Sequence, residues 1–131
     1  MELDAAKLLR DKGLKVTPQR ISILRILSRG GHFTGEQVYS LIRKKEPSIS
    51  ISTVYNTLDT LDRSEILNSF EVNGMKWYES KLDSHVNVYC TDSNEVMDID
   101  LDLAPLKKEL MRKGLDATKI SVIAYSECRK K

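Results

Sequence analysis

The dipeptide Asn73-Gly74 constrains this chain more than any other feature. It joins two strand-like runs, residues 67–72 and 75–80. A two-residue hairpin loop needs positive φ at both central positions, which Asn-Gly supplies at little cost. The pair therefore predicts a tight β-hairpin. Everything upstream of it reads as helix, so the hairpin closes a helical domain.

The upstream helices carry their own punctuation. Residues 3–12 place Leu3, Ala6 and Leu9 on one face, and Gly13 ends the run. Thr17-Pro18 then supplies an N-cap and a first-turn proline. Ile21, Ile23, Leu24, Ile26 and Leu27 form the apolar side of this second helix before Gly30-Gly31 stops it. Thr34-Gly35-Glu36-Gln37 matches a capping box, followed by Val38, Leu41 and Ile42 at helical spacing. Glu46-Pro47-Ser48 breaks that helix. Another begins near Ser50 or Ser52, with Val54, Leu58 and Leu61 at i, i+4 and i+7. Helices followed by a hairpin are the order of a winged helix, with the hairpin as the wing.

Past residues 81–84 the character changes. His85–Cys90 and residues 95–101 read as strands joined by a polar turn. Residues 103–113 read as a helix with Gly114 at its C-terminal cap, and residues 120–125 as a last strand. The expected architecture is α+β: a winged helix-turn-helix domain over 1–80, a hinge at 81–84, and a small β-β-α-β dimerisation domain over 85–131. So small a sheet leaves an edge that needs covering, and pairing with a second copy is the natural remedy.

Charge divides along the same line. Residues 1–58 hold ten Lys/Arg against five Asp/Glu, a balance of +5, whereas residues 82–106 hold six acids and no Lys or Arg. A basic front suits a polyanion and an acidic middle suits a cation. No apolar run approaches the ~18–20 residues that span a bilayer. The acidic start, Met1-Glu2-Leu3-Asp4, lacks a signal pattern. The expected compartment is the cytoplasm, with no membrane partner. Two cysteines, Cys90 and Cys128, are too few for a secreted disulfide scaffold or a four-thiolate zinc site.

The exposed start of the second helix of the helix-turn-helix reads Ser50-Ile51-Ser52-Thr53-Val54-Tyr55-Asn56-Thr57. Hydroxyls and an amide at Ser52, Thr53 and Asn56 can bond phosphates and base edges, and the Tyr55 ring can pack on a thymine methyl. Lys15, Thr17 and Arg20 are the expected backbone contacts.

Here a resemblance becomes specific. Residues 13–20, GLKVTPQR, are similar to the GLRxTPQR opening of the ferric uptake regulator family. Residues 51–58, ISTVYNTL, resemble that family's recognition helix, xxxTVYRxL, with Asn56 where Arg is usual. Trp77-Tyr78-Glu79 followed by His85-x-Asn87-x-x-Cys90 resembles the start of its second domain, YE…HxHxxC. The resemblance implies a metal-responsive, sequence-specific repressor of metal-homeostasis or oxidative-stress genes. It also implies a homodimer on a pseudo-palindromic duplex operator, and a transcription factor rather than an enzyme.

It further implies one divalent transition metal per protomer (Fe, Mn, Zn or Ni), held by His32, Glu79, His85, Asn87 and Asp98. Residues 1–80 would then be the DNA-binding domain and 85–131 the dimerisation and metal-binding domain. Two imidazoles and two carboxylates make a reasonable N/O site, and Asn87 stands where a histidine is usual. The family's structural zinc site has two CxxC pairs. Here each keeps one thiol, in Cys90-Thr91-Asp92-Ser93 and Tyr125-Ser126-Glu127-Cys128, so a structural zinc is not expected. By the same resemblance Cys90 and Cys128 converge, with three outcomes open: two free thiols, a two-thiolate metal site completed by Asp92 or Glu127, or a disulfide. Peroxide sensing in this family would fall on His32 and His85. Two other readings stand beside this one. The first is a winged-helix regulator that has lost metal control and binds DNA constitutively. The second is a small metal-dependent hydrolase, which would need a general-base motif such as HExxH, absent from this sequence.

Overall fold

Residues 4–80 and 82–129 are described by the computed structural model, and they fall into two compact units, one within 1–82 and one within 83–131. In the first, the Asp4 carboxylate accepts from the Lys7 amide and opens α1 (Ala5–Asp11). Leu3, expected on the apolar face of this helix, lies outside the described residues. Thr17 caps α2 (Pro18–Leu27), its Oγ1 accepting from the Arg20 amide at 3.2 Å. Proline at the first helical position gives up no hydrogen bond, because that amide has no intrahelical partner.

Phe33 and Thr34 form β1, a two-residue strand that the sequence reading did not foresee. Thr34 also caps α3 (Gly35–Ile42), and the capping box is complete: Thr34 Oγ1 accepts from the Gln37 amide, and Gln37 Oε1 accepts from the Thr34 amide. The helix ends at Ile42, ahead of Pro47, whose ring disfavours helical geometry at the residue before it. Ser50 caps α4 (Ile51–Arg63), the second helix of the helix-turn-helix. β2 (Asn68–Val72) and β3 (Met75–Glu79) follow, joined by Asn73 at φ 54° and Gly74 at φ 75°. Positive φ at both positions is the hairpin geometry that Asn-Gly predicts. The sheet order is β1-β3-β2, all antiparallel, so the wing's second strand is central.

Leu9, Ile23, Leu27, Val38, Ile42, Val54, Leu58, Leu61 and Tyr78 form the core of this unit. Each comes from the apolar stripe of its element. Burying one aliphatic side chain of this size contributes roughly 1.5–3 kcal/mol, and these side chains hold α4 against α2 and α3.

The second unit is a three-stranded sheet of order β5-β4-β6. β4 (His85–Cys90) pairs antiparallel with β5 (Glu95–Asp100) and parallel with β6 (Ile123–Ser126). The parallel pairing requires a crossover, which α5 (Ala104–Arg112) and the residues after it provide. The last strand starts three residues later than its apolar run suggests, with the Val122 carbonyl accepting from the Asn87 amide at 3.1 Å just ahead of it. β4 is buried along its whole length, while α5 has no buried residue.

Cys90 and Cys128 are joined in a disulfide, with a Cα–Cα distance of 5.4 Å. The convergence expected of them is present, and of the three outcomes it is the bridge. Both sulfurs are committed to it, so neither is a thiolate ligand while it is intact. Asp92 does not complete a metal site here. Its carboxylate accepts from the amides of Cys128 (3.2 Å) and Arg129 (2.9 Å), pinning the terminal segment beside the turn after β4.

Candidate nucleic-acid interface and metal-ligand residues

α4 presents two faces because its apolar residues recur at helical spacing. Val54, Thr57, Leu58 and Leu61 face inward, leaving Ser52, Tyr55 and Asn56 exposed. Ile51 and Tyr55, one turn apart, are 41% and 37% exposed. The hydroxyls at the start of the helix are organised by its cap. Ser50 Oγ lies 2.8 Å from Thr53 Oγ1 and 3.2 Å from Ser52 Oγ. Thr53 is half-buried in this cluster, so Tyr55, Asn56 and Ser52 are the more accessible of the sequence-predicted contacts.

The remaining candidates surround the start of α2. Lys15 is exposed and Thr17 is engaged as cap. Arg20 Nη1 donates to the Lys15 carbonyl at 2.8 Å, which stiffens the basic loop and holds the guanidinium beside it. Arg43, stacked over the Tyr39 ring at 5.3 Å, and exposed Lys44 and Lys45 add positive charge at the turn leading to α4. These three were not among the sequence-derived candidates, although their basic run was visible.

A polar cluster ties the wing to α4. Tyr78 Oη donates to Asp59 (3.2 Å), Ser69 Oγ donates to Asp62 (2.7 Å), and Lys76 Nζ lies 3.5 and 3.3 Å from the two carboxylates. The Tyr78 hydroxyl is pushed well above the usual tyrosine range, first by burial and then by the neighbouring Asp59 charge.

The expected metal ligands divide between the units. His32, half-buried, precedes β1, and Glu79, 1% exposed, ends β3. In the second unit His85 and Asn87 lie on one face of β4, opposite Asp100 and Asp98 of β5 in register. Asp100 was not foreseen as a donor. The four-residue turn after Cys90 fixes that register, so the pairing could have been read from the alternation Asp98-x-Asp100. His85 Nδ1 donates to the Asp83 carbonyl at 2.6 Å, a bond that fixes the orientation of the ring. Within either unit, among the described residues, no three His, Cys, Asp or Glu side chains gather closely enough to hold an ion.

A winged helix joined to a small β-rich unit marks a class of two-domain DNA-binding regulators. The model of the ferric uptake regulator family matches residues 11–125. A ferric uptake regulation protein from Haemophilus influenzae is 28% identical over 128 residues, covering 93% of this chain and 88% of its own length. The Campylobacter jejuni peroxide stress regulator superimposes with a TM-score of 0.78 at 34% identity, covering 100% of this chain and 99% of that one. The Vibrio cholerae ferric uptake regulator superimposes at 0.78 with 27% identity, covering 95% and 100%. The chain belongs to the ferric uptake regulator family, whose members are dimeric DNA-binding regulators. It is a metal-responsive, DNA-binding transcriptional regulator. No helix among the described residues is long and apolar enough to cross a membrane.

Proposed function

We propose that this regulator reads a pseudo-palindromic duplex in the cytoplasm as a homodimer. The observation that carries the reading is the exposed Ser52–Tyr55–Asn56 face of α4, buried on its other side and braced by the wing. Tyr55 and Asn56 approach base edges, Ser52 and Thr53 reach either bases or phosphates, and Lys15, Thr17 and Arg20 contact phosphates.

Dimerisation falls to the second unit. Val86, Val88, Met97 and Ile99 share one face of its sheet, and Met97 and Ile99 are 47% and 46% exposed. Leu106, Met111 and Leu115, on and just after α5, are also exposed. Apolar surface concentrated in one small unit suits burial against a second copy.

One divalent metal per protomer is drawn from His32 and Glu79 of the first unit and His85, Asp98 and Asn87 of the second. The donors suit such an ion chemically: a histidine oriented by a backbone carbonyl, a buried carboxylate, and a strand pair carrying Asn87 opposite Asp98. A mixed N/O set suits Fe, Mn, Zn or Ni. A bound ion would be held by these donors and would favour the state that binds DNA. Coupling of this kind is worth roughly 5–150-fold in affinity and is reciprocal. The test is fluorescence anisotropy on a duplex selected from a randomised library, with and without Mn2+, Zn2+, Ni2+ or anaerobic Fe2+. At least one ion should tighten wild type and leave His85→Ala unmoved. Equal affinity of the two proteins with and without every metal would instead establish the constitutive DNA-binding reading.

The 34% identity to a peroxide stress regulator across the whole chain favours a second sensory role. Treatment of the Fe2+-loaded protein with hydrogen peroxide should then add oxygen at His32 or His85, detectable by peptide mass spectrometry. Unmodified peptides alongside lost iron would remove this role.

A further inference from the structure

Gly35 is the exception among the glycines. Gly13, Gly30, Gly31, Gly74 and Gly114 all have positive φ and open space where a Cβ would go. Gly35 sits in ordinary backbone at the first turn of α3, where glycine is the poorest helix former apart from proline. Its requirement is steric. A Cβ there would fall 2.6 Å from Cζ and 2.9 Å from Cδ1 of Tyr55, with Cε1 nearer still. Contacts that short cannot be absorbed by shifts of a few tenths of an ångström.

The backbone on this side cannot retreat. Thr34 and Gln37 exchange both capping-box bonds across Gly35, and Thr34 is paired with Trp77 of β3. α4 is anchored by Val54 and Leu58, both fully buried on either side of Tyr55 in sequence. The ring is therefore the part that would move, and on a helix its χ1 has few alternatives. We propose that Gly35 is a specificity-determining residue of the DNA interface: its bare α-carbon seats the Tyr55 ring and sets the one pose in which that ring meets the bases. The proposal rests on the reading of α4 as the recognition helix.

The test is a double-mutant cycle on the full chain with Mn2+ present. Affinity is measured for a duplex selected by wild type from a randomised library and for a scrambled duplex of the same composition. The ratio of the two affinities should fall about tenfold in Tyr55→Ala, the size of one lost base contact. Gly35→Ala should lose a similar factor while melting at or above the wild-type temperature, since alanine suits the helix. In the Tyr55→Ala background Gly35→Ala should change nothing further. If Gly35→Ala keeps full discrimination while Tyr55→Ala loses it, the seating role is wrong and the recognition helix stands. If Tyr55→Ala keeps it, the recognition-helix reading fails and the proposal falls with it. Should Gly35→Ala fail to fold, Gly35→Ala/Tyr55→Ala should fold, because the colliding ring is gone; a double variant that also fails overturns the proposal. In wild type, nuclear Overhauser contacts between Gly35 Hα and the Tyr55 ring protons are required, and their absence also overturns it.

Discussion

Reducing the Cys90–Cys128 bridge should be the most destabilising single chemical change available to the second unit. The bridge closes a loop with a sequence separation of 38. Chain-entropy arithmetic for that span gives about 4 kcal/mol at 25 °C, all of it from restricting the unfolded chain. In the entropic account the pairing of β6 with β4 and the bonds from the Cys128 and Arg129 amides to Asp92 are the same with and without the bridge. They therefore do not offset the loss. A small unit shifts by about 4–8 °C per kcal/mol, so its melting temperature should fall by more than about 15 °C. Differential scanning calorimetry of the full chain, with and without a phosphine reductant and at one protomer concentration, reads this shift. Cys90→Ala/Cys128→Ala should match the reduced protein. Thiol titration of the unreduced, unfolded chain should find no free thiol. A shift under about 3 °C with the bridge verified would refute the entropic account, and free thiols in the unreduced protein would refute the bridge itself.

Three further outcomes follow from the geometry. Thr34→Ala removes the capping-box acceptor and should destabilise the first unit by about 1 kcal/mol in urea unfolding. The Tyr78 hydroxyl is raised above its unfolded value of about 10, so the stability it carries is present below that pH and lost as pH rises above it; Tyr78→Phe should flatten the alkaline limb of the stability profile. Asp92 is held below the usual carboxylate range by the Cys128 amide first and the Arg129 amide second. Its contribution is therefore present above about pH 4 and lost as pH falls through the folded value, and Asp92→Asn should blunt that acid limb in thermal melts.

The elements with local signals were legible. Thr17-Pro18, the Thr34–Gln37 box and Asn73-Gly74 each encode a boundary in a few contiguous residues, and each forms as its chemistry dictates. His85, Asn87 and Asp98 are reached only through the family resemblance; that they share a strand pair in register is a finding of the structure. What escaped depends on partners distant in sequence. β1 is two residues long and exists only because β3 offers it an edge. The start of β6 is set by its pairing with β4, much earlier in the chain. From sequence Asp92 reads as one candidate donor to a metal, but its partners are amides 36 and 37 residues away. The choice among thiols, metal and bridge at Cys90 and Cys128 could not be made from two half-motifs. The bridge is uncommon for a reducing cytosol, where such pairs are usually transient or redox-sensing unless the source is a hyperthermophile.

The placement of β3 between β1 and β2 has a consequence for how the wing can vary. Among the described residues, the hydrogen bonds of the Asn73-Gly74 turn stay within its own hairpin, so residues inserted there lengthen the tip without moving its base. The base has no such latitude. Thr34 at once pairs with Trp77, ends the edge strand β1 and caps α3, so one inserted residue would shift the strand register and the helix start together. Relatives of this chain should therefore differ freely in wing length, while the spacing between the end of α2 and Thr34 tolerates change only ahead of β1.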